Sequence, residues 1–326
     1  MKKIFITGIT GQCGSYLAEQ LLANGAEVHG IIRASSSFND ERLKNIYVDP
    51  HILDAKFFTY YGDMTTGGQL SDLLNEIKPD AIYNMAAQSH VRRSFDMPEY
   101  TGEVVALGTV RLLEAVRKAK IKTKIYQSSS SEMYGNAPAP QNEETPFYPR
   151  SPYAVAKYYA HRICDIYREG YGMFISCGIM FNTESPRRMP TMVTRKITLA
   201  VANILAGKQN KLYLGNLDAK RDWSFCPEAT MAMQLMLEQD KPMDIVIGTG
   251  ETHSVREFLD EAFGYVNLDW HDYVEIDPTY YRPTEVDVLC ADPSKAKKVL
   301  GWEAKVKFKE LVRIMVDADR KLIGGE

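Results

Sequence analysis

The sequence predicts an α/β chain with a doubly wound parallel sheet, followed by a smaller mixed α/β carboxyl-terminal domain. Three observations carry this. Short, β-rich apolar runs alternate with amphipathic helical stretches through the first half, the order that builds a parallel sheet with helices on both faces. Runs such as Ile4-Phe5-Ile6 and Val28-His29-Gly30-Ile31-Ile32 are largely apolar instead of alternating, as strands covered on both sides require. A glycine-rich turn, Gly8 to Gly14, joins the first of these runs to the first helical stretch.

The elements follow in order. Residues 3–7 form the first strand, and the helix after the turn runs through Leu22. Residues 27–32, 56–61, 81–85, 124–128 and 175–181 read as further strands, with helical spacing at 69–77, 108–118 and 152–168 between several of them. The later half is less regular and richer in Arg and Pro around 186–190 and 278–283, with helices expected at 193–206, 254–263 and 308–322. The expected domains are 1–181 with 224–252, which carries the doubly wound sheet, and 182–223 with 253–326, the smaller second domain.

Composition excludes several classes of function. The 326 residues carry 39 Lys and Arg against 42 Asp and Glu, a net charge of −3, and 45% are hydrophobic, an ordinary soluble globular profile. Without a basic run there is no electrostatic footprint for nucleic acid or an anionic membrane surface. The opening MKKIFITG passes into Gly-rich sequence with no signal-peptide core, and no window reaches the roughly 18 apolar residues of a membrane span. Five cysteines, Cys13, Cys164, Cys177, Cys226 and Cys290, are scattered without CxxC spacing, the pattern of reduced thiols in a cytoplasmic protein. Six dispersed histidines and no HExxH give no support to a metal site.

Three motifs carry chemistry. Gly8-Ile9-Thr10-Gly11-Gln12-Cys13-Gly14 lies between strand and helix, where glycines let the backbone approach a pyrophosphate at the positive helix end. The next strand ends at Arg33, where an NAD site usually places an acidic residue. Arg33 with Ser35 and Ser36 points to a ribose phosphate, and so to NADP. In the second motif, Tyr153 and Lys157 lie four apart on a helix and share one face. A nearby ammonium favours phenolate, so Tyr153 could take a hydroxyl proton as hydride leaves. The third, 126–135, places Ser130 and Glu132 two residues apart at the carboxyl end of a strand, the edge at which open α/β sheets bind ligands. There they could orient a substrate hydroxyl and move a proton. The same edge carries Met85-Ala86-Ala87-Gln88-Ser89.

On these residues the chain resembles the extended short-chain dehydrogenase/reductases and, within them, the GDP-mannose 4,6-dehydratase family. The resemblance covers nearly the whole chain, through the glycine turn, the 33–38 stretch, AAQSHV, TPFYPRSPYAVAK, FNxESPRR with VTRKI, GNLDAKRDW at 215–223 and YRPTEVD at 281–287. It implies that the first domain is a dinucleotide-binding Rossmann domain with tightly held NADP, that the second is a substrate domain for the nucleotide sugar, and that GDP-mannose is converted to GDP-4-keto-6-deoxymannose by internal hydride transfer and loss of water. It assigns Gly8 to Gly14, Arg33, Ser35, Ser36, Asp63, Met64, Met85, Ala86, Ala87, Gln88, Ser89, Tyr100, Lys157, Thr183 and Arg188 to the cofactor. Ser130, Glu132 and Tyr153, with Lys157, form the catalytic set. Ser89, Ser130, Glu132, Tyr153, Asn182, Lys196, Arg221, Arg282 and Glu285 are assigned to the substrate. Arg282 with Glu285, and Arg221 with Asp222, also read as surface ion pairs. A homo-oligomer, dimer or tetramer, is implied as well.

The chain departs from the family pattern at Cys13, Ala34, Ser130, Thr183, Met189 and 224–230. The last three bear on the choice of sugar. Rival readings are a dehydratase for another GDP-sugar such as a GDP-heptose, an NADP-dependent GDP-4-ketosugar reductase or epimerase, and a non-catalytic NADP-binding sensor. The intact set Ser130, Glu132, Tyr153 and Lys157 argues against the sensor.

Overall fold

The computed structural model describes residues 1–35, 40–47, 49, 51 and 54–324. In chain order its strands are β1 (Lys3–Thr7), β2 (Glu27–Ile32), β3 (Phe57–Tyr61), β4 (Ala81–Asn84), β5 (Lys124–Ser130), β6 (Phe174–Met180), β7 (Asn182–Glu184), β8 (Leu212–Leu214), β9 (Lys220–Arg221), β10 (Trp223–Phe225), β11 (Asp244–Ile247), β12 (His253–Ser254) and β13 (Val274–Ile276). The α-helices are α1 (Gln12–Ala23), α2 (Gly67–Ile77), α3 (Val91–Asp96), α4 (Pro98–Gly102), α5 (Gly108–Lys118), α6 (Pro152–Tyr171), α7 (Val193–Leu205), α8 (Cys226–Glu238), α9 (Val255–Gly264) and α10 (Phe308–Gly324). The chain divides into two units: Met1–Met133, Ser151–Ile179 and Thr230–Ile245 form the first, and Tyr134–Arg150, Met180–Ala229 and Val246–Glu326 the second.

The first unit is built on a seven-stranded sheet of order β11-β6-β5-β4-β1-β2-β3. From β5 to β3 the neighbours pair in parallel, with Thr7 opposite Asn84 and Asn84 opposite Gln127. One face packs Phe5, Ile31, Ile82 and Ile125 against Leu70, Leu74 and Leu112 of α2 and α5. Burying each such side chain contributes about 1.5–3 kcal/mol. The periodic segments form the helices they predict, because their apolar stripes meet this surface. The second unit has its own core, in which Ile197 and Val201 of α7, Phe258 and Phe263 of α9 and Leu311 and Met315 of α10 surround Trp223. Its strands are short ribbons: β7 with β10 and β8 with β13 in parallel, and β9 with β12 antiparallel.

The unit boundaries differ from those expected. Residues 134–150 belong with the second unit because their hydrogen bonds go there: Gln141 N–H donates to the Cys290 carbonyl at 2.8 Å, Cys290 N–H returns to Gln141 Oε1 at 3.0 Å, and Glu143 accepts from Val246 N–H at 2.7 Å. Residues 224–229 follow β10 to its partner β7, and Thr249 and Gly250 are held by Asp222 at 2.9 and 3.0 Å. The rest of α8 stays with the first unit, where Thr230 and Gln234 donate to Gln20 of α1 at 3.0 and 2.8 Å. Strand β11, helix α8 and the short helices before α5 were absent from the sequence reading. Among the described residues no helix is long and apolar enough to cross a membrane, and no group of three or more His, Cys, Asp or Glu side chains could hold a metal ion.

Candidate active site

After β1 the chain moves outward through β2 and β3, then returns to β4 on the other side of β1. Such a reversal opens a crevice beyond the carboxyl ends of the strands. Gly8 follows β1 with a φ of +72°, and a Cβ there would stand 2.8 Å from Ala86 N and 2.9 Å from Ala86 Cα. Only glycine lets the two loops meet. A Cβ on Gly14 would lie 2.3 Å from the Gly8 carbonyl oxygen, so the turn folds directly onto the start of α1. Gly11 caps that helix without a side chain to occupy its first-turn N–H groups, the arrangement that receives a phosphate.

A buried polar ladder that sequence reasoning missed fixes this crevice. Thr7 Oγ1 donates to Asn84 Oδ1 at 2.7 Å and accepts from the N–H groups of Met85 and Ala86 at 3.0 and 3.1 Å. Asn84 Nδ2 in turn donates to Gln127 Oε1 at 2.7 Å and Thr109 Oγ1 at 3.2 Å. The available signal was a polar residue directly after a short apolar run in each of three adjoining strands.

The expected cofactor residues separate into two kinds. Ile9 and Met64 put their side chains into the core: Ile9 packs on Gly30, where a Cβ would lie 2.3 Å from Ile9 Cδ1, and Met64 packs on Gly108. They can offer a ligand only their backbone. Arg33, exposed just past β2, donates through its guanidinium to the hydroxyl of Tyr100 in α4. Ser35 is exposed, and Ser36 lies outside the described residues. Asp63 closes a local turn, accepting from Thr65 N–H at 2.9 Å and Thr65 Oγ1 at 2.8 Å. The Thr10 carbonyl accepts from Arg42 at 3.1 Å, and Gln88 Nε2 donates to the His90 carbonyl at 3.3 Å. Gln12 is buried, Cys13, Ala86 and Ala87 are half-buried, and Ser89 is exposed.

The residues expected to be catalytic come together at the end of β5 and the start of α6. Ser130 ends the strand, and a single 3₁₀ turn at Ser131–Met133 brings round Glu132, whose N–H donates to Ser130 Oγ at 3.3 Å. Ser151 caps α6 by accepting from Ala154 N–H at 3.0 Å, and Pro152 suits the first helical position. Tyr153 N–H donates to Ser94 Oγ at 3.2 Å, a further support not read from the sequence. One turn on, the Lys157 ammonium donates to the Ser128 carbonyl at 2.6 Å and lies 5.9 Å from the centre of the Tyr153 ring. All four side chains belong to residues no more than 8% exposed. Burial pulls the Lys157 ammonium down from 10.5 to about 8, so at neutral pH it stays a cation beside the phenol and favours the phenolate.

The second unit holds the remaining expected residues. Asn182 and Thr183 lie in β7, whose third residue, Glu184, is fully buried; its carboxylate accepts from Thr194 Oγ1 at 2.5 Å and pairs with Arg188 Nε at 3.1 Å. Burial raises the Glu184 carboxyl, opposed by the Arg188 charge and the Thr194 bond. Lys196 of α7 donates to the Tyr213 carbonyl at 2.5 Å and stands 3.7 Å over the Tyr280 ring. These groups border a cavity of about 250 Å³ that Pro190, Leu199 and Lys211 also line. Arg221 is buried in β9 and donates to the Lys220 carbonyl at 2.9 Å. Asp222 accepts from Thr249, Gly250 and Ala291 N–H groups at 2.9, 3.0 and 3.2 Å. Glu285 Oε1 accepts from the backbone N–H of Arg282 at 2.9 Å. Of the departures at 224–230, Ser224, Cys226, Ala229 and Thr230 are wholly buried.

A doubly wound sheet with a glycine turn at its switch point and a buried Tyr-x-x-x-Lys pair beside it is the architecture of the extended short-chain dehydrogenase/reductases. The model of the family described as GDP-mannose 4,6 dehydratase matches residues 5–315, and the chain belongs to this family. It is 56% identical over 330 residues to GDP-mannose 4,6 dehydratase 1 of Arabidopsis thaliana, covering 100% of this chain and 91% of that one. It is 49% identical over 351 residues to GDP-mannose 4,6-dehydratase of Vibrio cholerae, covering 98% and 94%. Among solved structures, the dTDP-glucose 4,6-dehydratase DesIV of Streptomyces venezuelae with NAD and TYD bound superposes with a TM-score of 0.86 at 25% identity, covering 99% and 98%.

Proposed function

We propose that this chain is a GDP-mannose 4,6-dehydratase that converts GDP-mannose to GDP-4-keto-6-deoxymannose with loss of one water. Glu132 carries the reading: a buried carboxylate two residues past Ser130 on the edge that holds Tyr153 and Lys157. Family membership and the names of the relatives support the choice of sugar nucleotide. Epimerases and reductases of this fold can use hydroxyl, Tyr and Lys without such a carboxylate.

The crevice fits a nicotinamide dinucleotide, since Gly8 and Gly14 fold the turn tightly onto the start of α1 and the Gly11 cap puts no side chain over that helix end; Gly8 to Gly14, Asp63, Met85 to Ser89, Tyr100, Lys157, Thr183 and Arg188 would hold it. When bound, this cofactor supplies the hydride acceptor for carbon 4 and the hydride donor for carbon 6. Tyr153, its phenolate favoured by the Lys157 ammonium, takes the proton of the 4-hydroxyl. The 4-ketone acidifies the proton on carbon 5, and Glu132 removes it. Water leaves from carbon 6 with a proton from Glu132 or Ser130, and the proton that Tyr153 took from the 4-hydroxyl goes to carbon 5 as the saturated 4-keto product forms. Asn182, Lys196, Arg221, Arg282 and Glu285 would bind the nucleotide and its diphosphate. The Arg33 guanidinium at the end of β2, set by Tyr100, supports NADP as the dinucleotide. A homo-oligomer is part of the proposal, supported by the exposed apolar residues Val155, Tyr159 and Ile166 of α6.

The test is mass spectrometry of GDP-mannose incubated with purified protein, first alone and then with NADP. A product lighter by one water, its 4-keto group trapped with borodeuteride, is expected. Binding of GDP without loss of water under either condition would overturn the choice of GDP-mannose and turn the search to other GDP-sugars.

A further inference from the structure

Two of the most specific stretches in the sequence, TPFYPRSPY and YRPTEVD, take little part in the chemistry above beyond Tyr153, Arg282 and Glu285. A hydrogen bond joins them. Thr284 Oγ1 donates to the carbonyl of Arg150, across 134 positions of sequence and wholly within the second unit. Arg150 directly precedes Ser151, the cap of α6, and Tyr153 lies in the first turn of that helix.

The stretch that Thr284 grips has an unusual position. It connects Glu132 to Tyr153, so both proton-transfer residues flank a single loop. The loop is closed on itself near its base: Gly135 has a φ of +54°, and a Cβ there would stand 1.7 Å from the Tyr148 carbonyl oxygen. Tyr134 packs on Phe147 at 5.0 Å between ring centres and donates to the Asn142 carbonyl at 2.6 Å. Its outer part is held by the segment that follows Thr284, where Gln141 exchanges hydrogen bonds with Cys290 and its carbonyl accepts from Asp292 N–H at 2.9 Å. The segment 282–292 is thus a strap along the loop. The near end of that strap carries Arg282 and Glu285, themselves fixed by the carboxylate-to-backbone bond at 2.9 Å.

We infer that Thr284 is a positioning residue that ties the strap carrying Arg282 and Glu285 to the peptide entering α6, so that an occupied nucleotide subsite sets the loop that Glu132 and Tyr153 flank. The inference rests on the proposed dehydratase reading. It separates two tasks of the diphosphate and nucleotide: affinity, carried by Arg282 and Glu285, and alignment, passed on through the Thr284 hydroxyl. Remote binding energy used to orient reacting groups raises kcat without an equal change in KM.

The experiment compares Thr284→Val, Thr284→Ser and Thr284→Ala in the full-length protein with NADP bound, measuring kcat and KM for GDP-mannose and the Kd of GDP. Thr284→Val should lower kcat at least tenfold with GDP affinity within twofold of the parent. Thr284→Ser should stay within threefold of the parent kcat. The ratio of kcat between Ser and Ala, expected to be fivefold or more, isolates the hydroxyl even where the Val variant does not fold. Equal kcat in the Ser and Ala variants would overturn the inference, as would a loss of GDP affinity in proportion to kcat. Absence of dehydration by the parent protein would instead overturn the dehydratase reading, which separates the two failures.

Discussion

Lys157 and Lys196 stand in opposite circumstances, one in each unit. Lys157 is buried at the edge of a seven-stranded sheet, its ammonium anchored on the Ser128 carbonyl at 2.6 Å and its affinity for a proton lowered to about 8 by loss of solvent. Lys196 is half-buried beside an open cavity, held by the Tyr213 carbonyl and the face of Tyr280. Burial makes the first a tuned group that can alter the ionisation of a neighbouring phenol. Access to solvent makes the second a charge that a soluble anion can reach. In the proposed reaction the first unit changes protonation states, and the second collects contacts on a polyanionic ligand.

The sharpest way to break this contrast is Glu132→Gln. Loss of a general acid and base costs about 10²–10⁴ in rate, so water elimination should fall about a thousandfold while bound NADP, read by its absorbance after denaturation, stays unchanged. Turnover equal to the parent's would remove Glu132 from the chemistry.

A second test uses stability instead of rate. The unfolded chain holds the Lys157 proton more tightly than the folded one, so burial of this ammonium penalises folding fully below about pH 8, and the penalty fades as pH rises towards 10.5. The fall from 10.5 to about 8 corresponds to about 3 kcal/mol, and a Met side chain leaves the Ser128 carbonyl without its donor, which costs about 1 kcal/mol. Lys157→Met should therefore raise the unfolding free energy by about 2 kcal/mol at pH 7, an advantage that denaturant melts should find gone near pH 10.5, although activity is lost. A difference that does not vary with pH would show that burial does not govern this group.

Lys196→Met should act on the other side of the comparison, raising KM for GDP-mannose about tenfold, about 1.4 kcal/mol, with kcat within threefold. A collapse of kcat at constant KM would mean that the division of labour is wrong. The smallest effect is expected from Arg33→Ala, which should reduce the preference for NADP over NAD several-fold, because an exposed guanidinium contributes modestly even when it forks onto a phosphate. An unchanged ratio of affinities would assign that preference elsewhere.

The first unit was legible because its signals are local. Strands such as 3–7 and 27–32 and helix 108–118 stand where apolar periodicity puts them, and the glycine turn announces itself by its own spacing. Strand β11 escaped because four residues, Asp244–Ile247, form a strand only when β6 is already present beside them. The ribbons of the second unit, two or three residues each, escaped for the same reason. Motif membership also misled about direction: Ile9 and Met64 belong to the expected cofactor set, yet their side chains fill the core under glycines 30 and 108. Thr284 was invisible as a partner, since its contact with Arg150 depends on which distant segment the fold brings alongside.

The Thr7 ladder gives the loop after β4 the rigidity of the sheet itself. Amides in a connecting loop ordinarily exchange with solvent deuterium far faster than those of a central strand, but the N–H groups of Met85 and Ala86 both end on a buried threonine oxygen at 3.0 and 3.1 Å. They should exchange with the slow class even before a dinucleotide arrives. A ligand entering such a site meets a surface already ordered and loses little of its affinity to organising it. In the proposed reaction the dinucleotide ends each cycle in the oxidation state in which it began. A preset cradle then suits a cofactor that stays in place from one turnover to the next, serving as a resident part of the enzyme instead of a visiting substrate.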